Sequence, residues 1–105
     1  MQTATAQELK AKIDNGESFV IDFFATWCGP CKVLTRNFQI LEEKGTSLPV
    51  FAFDVDSDME FTKLMEIRSV PTLKYFKGGK IVETKTGVQT PDQLTESIRT
   101  NLSLV

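Results

Sequence analysis

Hydrophobic positions along the chain follow two spacings, one typical of helices and one typical of strands. Leu34, Phe38 and Leu41 recur at i, i+4 and i+7, which predicts an amphipathic helix that begins at the cysteines and ends at Gly45. Residues 19–25 are mostly apolar on both alternating faces, as in a central strand that helices cover on both sides. The two patterns together predict a protein built from both helices and strands.

Capping and turn residues mark the remaining elements. Thr5-Ala6-Gln7-Glu8 has the form of a capping box, in which two side chains satisfy free backbone amides at the start of a helix. Gly78-Gly79 supplies the positive φ angles that a tight hairpin turn requires. The remaining predicted elements are a helix over residues 6–14, a strand over 50–55, a third helix after a capping box at Ser57-Asp58-Met59-Glu60, hairpin strands over 72–77 and 80–86, and a last helix that starts at Thr90-Pro91-Asp92-Gln93.

The order of these elements is α, β, α, β, α, β, β, α, with two βα units first and a hairpin last. Such an order predicts the α/β class, with a mixed sheet and helices on both of its faces. A chain of 105 residues, 41% of them apolar, has room for one core. We therefore expect residues 1–105 to form a single domain.

Charge and composition exclude several kinds of function. Twelve basic against fourteen acidic side chains give a net charge of -2, which disfavours binding to nucleic acid. No apolar stretch approaches the roughly 20 residues that span a bilayer, and the first fifteen residues lack the apolar region of a secretory signal. We therefore expect no membrane association and a cytoplasmic location. The absence of histidine excludes Ser-His-Asp and Cys-His hydrolases and metal sites built on histidine.

The two cysteines carry the strongest chemical signal. They stand three positions apart as Cys28-Gly29-Pro30-Cys31, and residues at i and i+3 of a helix face the same way. Free amides and the positive dipole end at a helix start favour a thiolate at Cys28, which we expect to be the exposed sulfur. Lys32 adds a nearby cation, while Gly29 and Pro30 keep the loop compact. The pattern predicts thiol–disulfide exchange.

Two other roles for the cysteine pair stay open at this point. A structural disulfide is disfavoured in a reducing cytoplasm. A zinc site needs four ligands, so with two cysteines and no histidine it would have to be shared between two chains. We therefore expect redox chemistry and no bound metal.

Several strings of residues resemble the thioredoxin family over almost the whole chain. They are Asp22-Phe23-Phe24-Ala25-Thr26-Trp27-Cys28-Gly29-Pro30-Cys31-Lys32, Val70-Pro71-Thr72, Phe76-Lys77-Gly78-Gly79 and Gly87. The resemblance implies the thioredoxin fold, with a mixed central sheet of four to five strands flanked by four helices. It also implies a dithiol that reduces disulfides in target proteins without a bound cofactor and is recharged by an NADPH-dependent flavoprotein reductase. We expect a monomer.

The resemblance also assigns roles to individual residues. It implies that Cys28 is the attacking thiolate, that Cys31 resolves the mixed disulfide, and that Trp27 packs beside them. Asp22, inside an otherwise apolar strand, would be a buried carboxylate of raised pKa that moves the proton of Cys31. The alternative for Asp22 is a solvated or hydrogen-bonded strand residue.

A second group of residues is implied to receive the target protein. The peptide bond before Pro71 would be cis, which leaves the backbone of Val70 free to pair with an extended segment of the target. A trans proline at the start of a strand is the alternative. The apolar groove around the cysteines would be formed by Trp27, Pro30, Val70, Pro71, Gly87 and Val88. Because isolated apolar side chains are common on surfaces, the alternative for Val88 is an incidental surface position.

Two departures from the family pattern bear on the site and on the sheet. Ala52 stands where many bacterial members carry a lysine near the buried carboxylate, so no ion pair is expected there. About four residues precede the first helix, which is too short for the full opening strand that the family usually has. The opening strand is therefore expected to be a stub or missing.

Two other functions are compatible with the same fold. A disulfide oxidase or isomerase uses other dipeptides between the sulfurs, so Gly29-Pro30 favours a reductase. A binding module would keep the fold with incidental cysteines. The presence of both cysteines together with Asp22 and Val70-Pro71 argues against that function.

Overall fold

A computed structural model describes residues 1–45 and 47–103, and within them four helices surround one sheet of five strands. The α/β class and the mixed sheet are confirmed. The predicted domain range also includes Thr46, Leu104 and Val105, which lie outside the described residues. The strands are β1 Gln2–Thr3, β2 Phe19–Phe24, β3 Val50–Asp54, β4 Thr72–Lys77 and β5 Lys80–Thr86, and the helices are α1 Ala6–Asp14, α2 Gly29–Glu42, α3 Met59–Leu64 and α4 Pro91–Leu102.

The strand order across the sheet is β1-β3-β2-β4-β5. β3 runs parallel to both β1 and β2, whereas β4 is antiparallel to β2 and to β5. The opening strand is a stub, since β1 has two residues, paired with Phe51 and Ala52 of β3. β2 therefore lies at the centre, and its carboxyl end leads into the segment that carries the cysteines.

Side chains that alternate along the strands build two separate cores, one on each face of the sheet. Phe19, Ile21 and Phe23 of β2 pack on the face covered by α1 and α3, together with Leu9 and Phe61. The opposite face is covered by α2 and α4, and its buried residues are Val20, Leu34, Phe38, Leu41, Val50, Leu73, Tyr75, Leu94, Ile98 and Leu102. Burial on both faces explains why β2 is apolar along almost its whole length.

The caps of α1 and α4 agree with the sequence. Thr5 accepts a hydrogen bond from the amide of Glu8 at 3.1 Å, and the Glu8 carboxylate accepts one from the Thr5 amide at 2.8 Å. Thr90 and Gln93 make the same pair of bonds at the start of α4, at 3.1 and 2.9 Å. Each cap satisfies amides that the helix itself leaves unpaired.

The predicted start of α3 is wrong by one residue. The N-cap is Asp58, whose carboxylate accepts from the amide of Phe61 at 3.0 Å. The Ser57 hydroxyl instead donates to the carbonyl of Asp54 at 2.6 Å. Ser57 and Asp58 both have side chains that can cap a helix. Because the Ser57 hydroxyl is bonded to the carbonyl of Asp54 in β3, Asp58 caps α3.

The chain leaves α2 and α3 through left-handed backbone positions. α2 ends at Glu42, three residues before Gly45, which has φ +84°. After α3, the amides of Glu66 and Ile67 donate to the carbonyls of Lys63 and Thr62, and Glu66 has φ +56°. This is the Schellman arrangement, in which glycine is the usual residue at the left-handed position.

No helix of the described residues is long and apolar enough to cross a membrane.

Candidate active site

The turn between β2 and α2 places both cysteines at the start of a helix. Cys28 is the N-cap residue with extended backbone angles, and Pro30 lies in the first turn, where a missing amide hydrogen costs nothing. Cys28 and Cys31 form a disulfide with their Cα atoms 5.3 Å apart. The amide of Cys31 donates to the sulfur of Cys28 at 3.2 Å. One free amide of the helix start is therefore directed at the first sulfur.

Both sulfurs are buried in this disulfide form. Cys28 is 5% exposed and Cys31 is 2% exposed, so the expectation that Cys28 is exposed is wrong for the oxidised protein. The reason is tertiary, because Cys28 belongs to the buried cluster on the α1 and α3 face and its sulfur lies 3.8 Å from the carbonyl oxygen of Val70. The neighbouring residues Gly29 and Pro30 are exposed. The reaction of either sulfur therefore takes place at a site that other residues of the protein cover.

The electrostatics of the helix start favour a negative sulfur. The first turn of α2 has no acidic side chain, and Lys32, which follows Cys31, is exposed. A thiolate at an N-cap is stabilised by the amides and by the dipole of the helix. The arrangement therefore supports a reactive Cys28 when the disulfide is reduced.

Trp27 lies on the surface beside the cysteines and is held there by Asp56. The indole is 72% exposed, and its Nε1–H donates to a carboxylate oxygen of Asp56 at 3.0 Å. Asp56 is fixed in turn, because its amide donates to the carboxylate of Asp54 at 2.9 Å. Sequence reasoning missed Asp56 as a site residue. The available signal was its place just after β3, since parallel neighbouring strands end at the same edge of a sheet.

Asp22 is buried in the middle of β2 on the face covered by α2. Alternation along β2 places it on the same face as Val20, and its neighbours across the sheet are Ala52 and Leu73. Its side chain is 1% exposed, and neither carboxyl oxygen has a hydrogen-bond partner among the described residues. Burial raises the pKa of Asp22 from 3.8 to about 7, because the charged form loses its hydration.

The register places Ala52 directly beside Asp22, as the resemblance to the family implied. Ala52 is the β3 partner of Asp22 in the parallel pair. A methyl group therefore occupies the position from which a lysine would face the carboxylate. With no cation at that position, burial is the cause of the raised pKa.

The segment before β4 closes the site from the other side. The peptide bond between Val70 and Pro71 is cis, and Pro71 is buried. The amide of Gly87, at the end of β5, donates to the carbonyl of Pro71 at 2.9 Å. Gly87 has φ +83°, a conformation that side chains disfavour. These contacts bring Gly87 to Pro71, and Val70, the residue before Pro71, lies next to Cys28.

The residues of the expected groove differ in how they are presented. Val70 is half-buried, Pro30 is exposed, and Val88 is 43% exposed in the loop that follows Gly87. Trp27 is the most exposed large apolar side chain of the group.

The described residues contain no group of three or more histidine, cysteine, aspartate or glutamate side chains that could hold a metal ion.

Comparison with known proteins gives a consistent family. A family model described as Thioredoxin matches residues 1–100. The chain is 33% identical over 102 residues to Thioredoxin-2 of Saccharomyces cerevisiae. The aligned region covers 96% of this chain and 97% of that protein. It is 35% identical over 100 residues to the thioredoxin of Bacillus subtilis, and the aligned region covers 94% of this chain and 95% of that protein.

Solved structures show the same likeness. A mutant thioredoxin from Halobacterium salinarum superposes with a TM-score of 0.78 at 33% identity, covering 99% of this chain and 90% of the other. Plasmodium falciparum thioredoxin superposes with a TM-score of 0.81 at 32% identity, covering 95% and 98%. The likeness therefore extends over the sheet, the helices and the segment that carries the cysteines.

Proposed function

This chain belongs to the thioredoxin family, and we propose that Cys28, Cys31 and Asp22 carry the reaction of the family here, with Trp27, Gly29, Pro30, Lys32 and Pro71 as supporting residues. It is a thiol–disulfide oxidoreductase that reduces disulfides in target proteins. It works with its own redox-active disulfide and needs no external cofactor. The observation that carries the residue roles is the Cys28–Cys31 disulfide at the start of α2, with the Cys31 amide directed at the Cys28 sulfur.

In the first step the thiolate of Cys28 attacks one sulfur of the target disulfide. A bond forms between Cys28 and that sulfur, the target disulfide breaks, and the other target sulfur leaves as a thiolate that takes a proton from water. The hydrogen bond from the Cys31 amide to the Cys28 sulfur supports this assignment, because it stabilises the thiolate that must be present before attack.

In the second step Cys31 resolves the mixed disulfide. Its thiol loses a proton, its sulfur bonds to that of Cys28, and the second target sulfur leaves as a thiolate. Two electrons have then passed from the dithiol to the target. Asp22 suits the proton acceptor, since a carboxylate with a pKa of about 7 is partly ionised at neutral pH and can both accept and return a proton.

The proposed groove binds an extended segment of the target. Trp27, Pro30, Val70, Gly87 and Val88 would supply its apolar walls, and the backbone of Val70 would pair with the target chain. Support comes from the position of Val70, whose carbonyl oxygen lies 3.8 Å from the Cys28 sulfur, and from the exposure of Trp27 and Val88.

The partners of the reaction are disulfide-containing target proteins and a thioredoxin reductase. We further propose that this reductase draws its electrons from NADPH, that the protein acts as a monomer in the cytoplasm, and that residues 1–105 form one domain. The net charge of -2 and the near balance of charges support a function without nucleic acid.

Insulin reduction tests the proposed roles. Wild-type protein with NADPH and a thioredoxin reductase should reduce insulin and consume NADPH, whereas Cys28→Ser should do neither. Cys31→Ser should accumulate a mixed disulfide between Cys28 and the target, because the resolving sulfur is gone. Activity in Cys28→Ser, or trapping through Cys31 in place of Cys28, would contradict the assignment. Net oxidation of reduced targets by the wild type would favour the oxidase.

A further inference from the structure

The loop of residues 87–89 joins β5 to α4 and carries two residues of the proposed groove. At one end, the amide of Gly87 donates to the carbonyl of Pro71 at 2.9 Å. At the other end, the side-chain amide of Asn37 donates to the carbonyl of Gln89 at 2.8 Å. The loop is therefore fixed between the segment that contains Pro71 and helix α2.

Asn37 lies on the same helix that positions the dithiol. It follows Cys28 by nine residues on α2, and its hydrogen bond joins positions 52 residues apart in sequence. Leu34 and Phe38, its neighbours on the helix, are buried in the core shared with α4. That packing keeps α2 in place, so the Asn37 amide gives the loop a fixed point on the helix that carries the sulfurs.

Gln89 makes the loop compact. Its side chain is 7% exposed and folds back on its own loop, where the side-chain amide donates to the carbonyls of Thr86 and Gly87. Its side-chain oxygen is buried and has no hydrogen-bond partner in the part of the chain that the structure describes. The internal bonds of Gln89 hold the shape of the loop, while the bond from Asn37 determines where the loop sits against α2.

We propose that Asn37 is a positioning residue that, through Gln89, places the groove wall at Gly87 and Val88 relative to the Cys28 sulfur. The inference rests on the proposed groove. Asn37 itself does not contact the sulfurs or the target. Loss of its hydrogen bond leaves a partly buried carbonyl unpaired and frees the loop to shift, so target binding weakens while the chemistry of the sulfurs stays the same.

The test compares Asn37→Leu with Asn101→Leu. Leucine has the same branched side-chain skeleton as asparagine and cannot donate a hydrogen bond. Asn101 is a matched control, because its side-chain amide donates to Glu83 at 2.7 Å between α4 and β5, away from the groove.

Each pre-reduced protein is mixed with insulin in single-turnover experiments, and the dependence of rate on insulin concentration gives a half-saturating concentration and a limiting rate. A small disulfide, 2-hydroxyethyl disulfide, measures the chemistry without groove contacts.

For Asn37→Leu, we expect the half-saturating insulin concentration to rise about five- to tenfold, as for one lost hydrogen bond that orders a binding loop. The limiting rate and the rate with 2-hydroxyethyl disulfide should stay within about twofold. Asn101→Leu should match wild type in all three. An unchanged half-saturating concentration in Asn37→Leu, or an equal loss with both substrates, would overturn the proposal. A wild type that reduces neither substrate would instead refute the proposed function.

Discussion

Replacing Asp22 with asparagine should stabilise the protein at neutral pH and slow its reaction. The carboxyl group is buried without a hydrogen-bond partner within residues 1–45 and 47–103, and its pKa rises from 3.8 to about 7 because of burial. An amide has nearly the same shape but cannot ionise. The substitution therefore removes the cost of keeping a charge in the core.

The pKa of Asp22 gives the size and the pH range of this effect. Between pH 3.8 and 7 the unfolded chain has released the proton that the folded protein still holds, so wild-type stability falls as the pH rises through this window. At about 1.36 kcal/mol per pKa unit, the full loss above pH 7 is about 4 kcal/mol. The amide replaces a protonated carboxyl group that is buried in the same site, so the costs of burying the two uncharged groups nearly cancel, and the net gain of Asp22→Asn should be about 4 kcal/mol at pH 8.

Denaturant unfolding of the oxidised proteins from pH 4 to pH 8 measures this difference. The gain of Asp22→Asn over wild type should be near zero at pH 4 and should grow steadily to its full size at pH 8. Asp14→Asn is the matched control, because Asp14 is exposed at the end of α1, and it should change stability by less than about 0.5 kcal/mol at every pH. A stability difference that does not vary with pH would refute the assignment of a raised pKa.

The same variant should be the poorer catalyst. Asparagine cannot accept the proton of Cys31, so resolution of the mixed disulfide should slow by about tenfold or more. Quenched-flow measurement of the mixed disulfide with a target peptide gives this rate. Full activity in a stabilised variant would show that the proton passes to water.

Three further predictions concern the sulfurs and the turns. In the reduced protein, alkylation at pH 6 followed by mass mapping should label Cys28 before Cys31, because the Cys31 amide and the helix dipole stabilise the first thiolate; the reverse order would exchange their roles. Glu66→Gly should raise stability by about 0.5 to 1 kcal/mol in thermal unfolding, because glycine adopts φ +56° without strain; a lower Tm would contradict this. Gly79→Ala should destabilise more than Gly78→Ala, since both have positive φ but a Cβ at position 79 would lie 2.5 Å from the carbonyl oxygen of Ile13; equal losses would show that the chain relaxes there.

Short-range patterns predicted most of the helices and strands. The helix over 6–14, the strands over 72–77 and 80–86 and the start of the last helix agree with the structure, because their signals lie in consecutive residues. Caps, turns and side-chain period act over a few residues and need no knowledge of the rest of the chain. The start of α3 was wrong because two adjacent residues can cap, and the hydrogen bond of Ser57 to β3 decides between them.

The burial of Cys28 and the anchoring of Trp27 depended on the tertiary fold. The sequence placed Cys28 at a helix start, but the Val70 segment and the core beside it determine that the sulfur is covered. The bond from Trp27 to Asp56 joins positions 29 residues apart, and it exists because β2 and β3 are parallel neighbours. No local pattern contains that information.

By itself, the sequence determined the order of the elements, the two-faced burial of β2 and the chemistry of the cysteine pair. These properties follow from residue type and spacing within short segments. The tertiary structure decided which distant groups share the site: the Ala52 methyl beside Asp22, the Gly87 amide on the Pro71 carbonyl, and the Asn37 side chain on the loop at Gln89. Such contacts depend on strand order, register and helix packing, which bring together residues that are far apart in the chain.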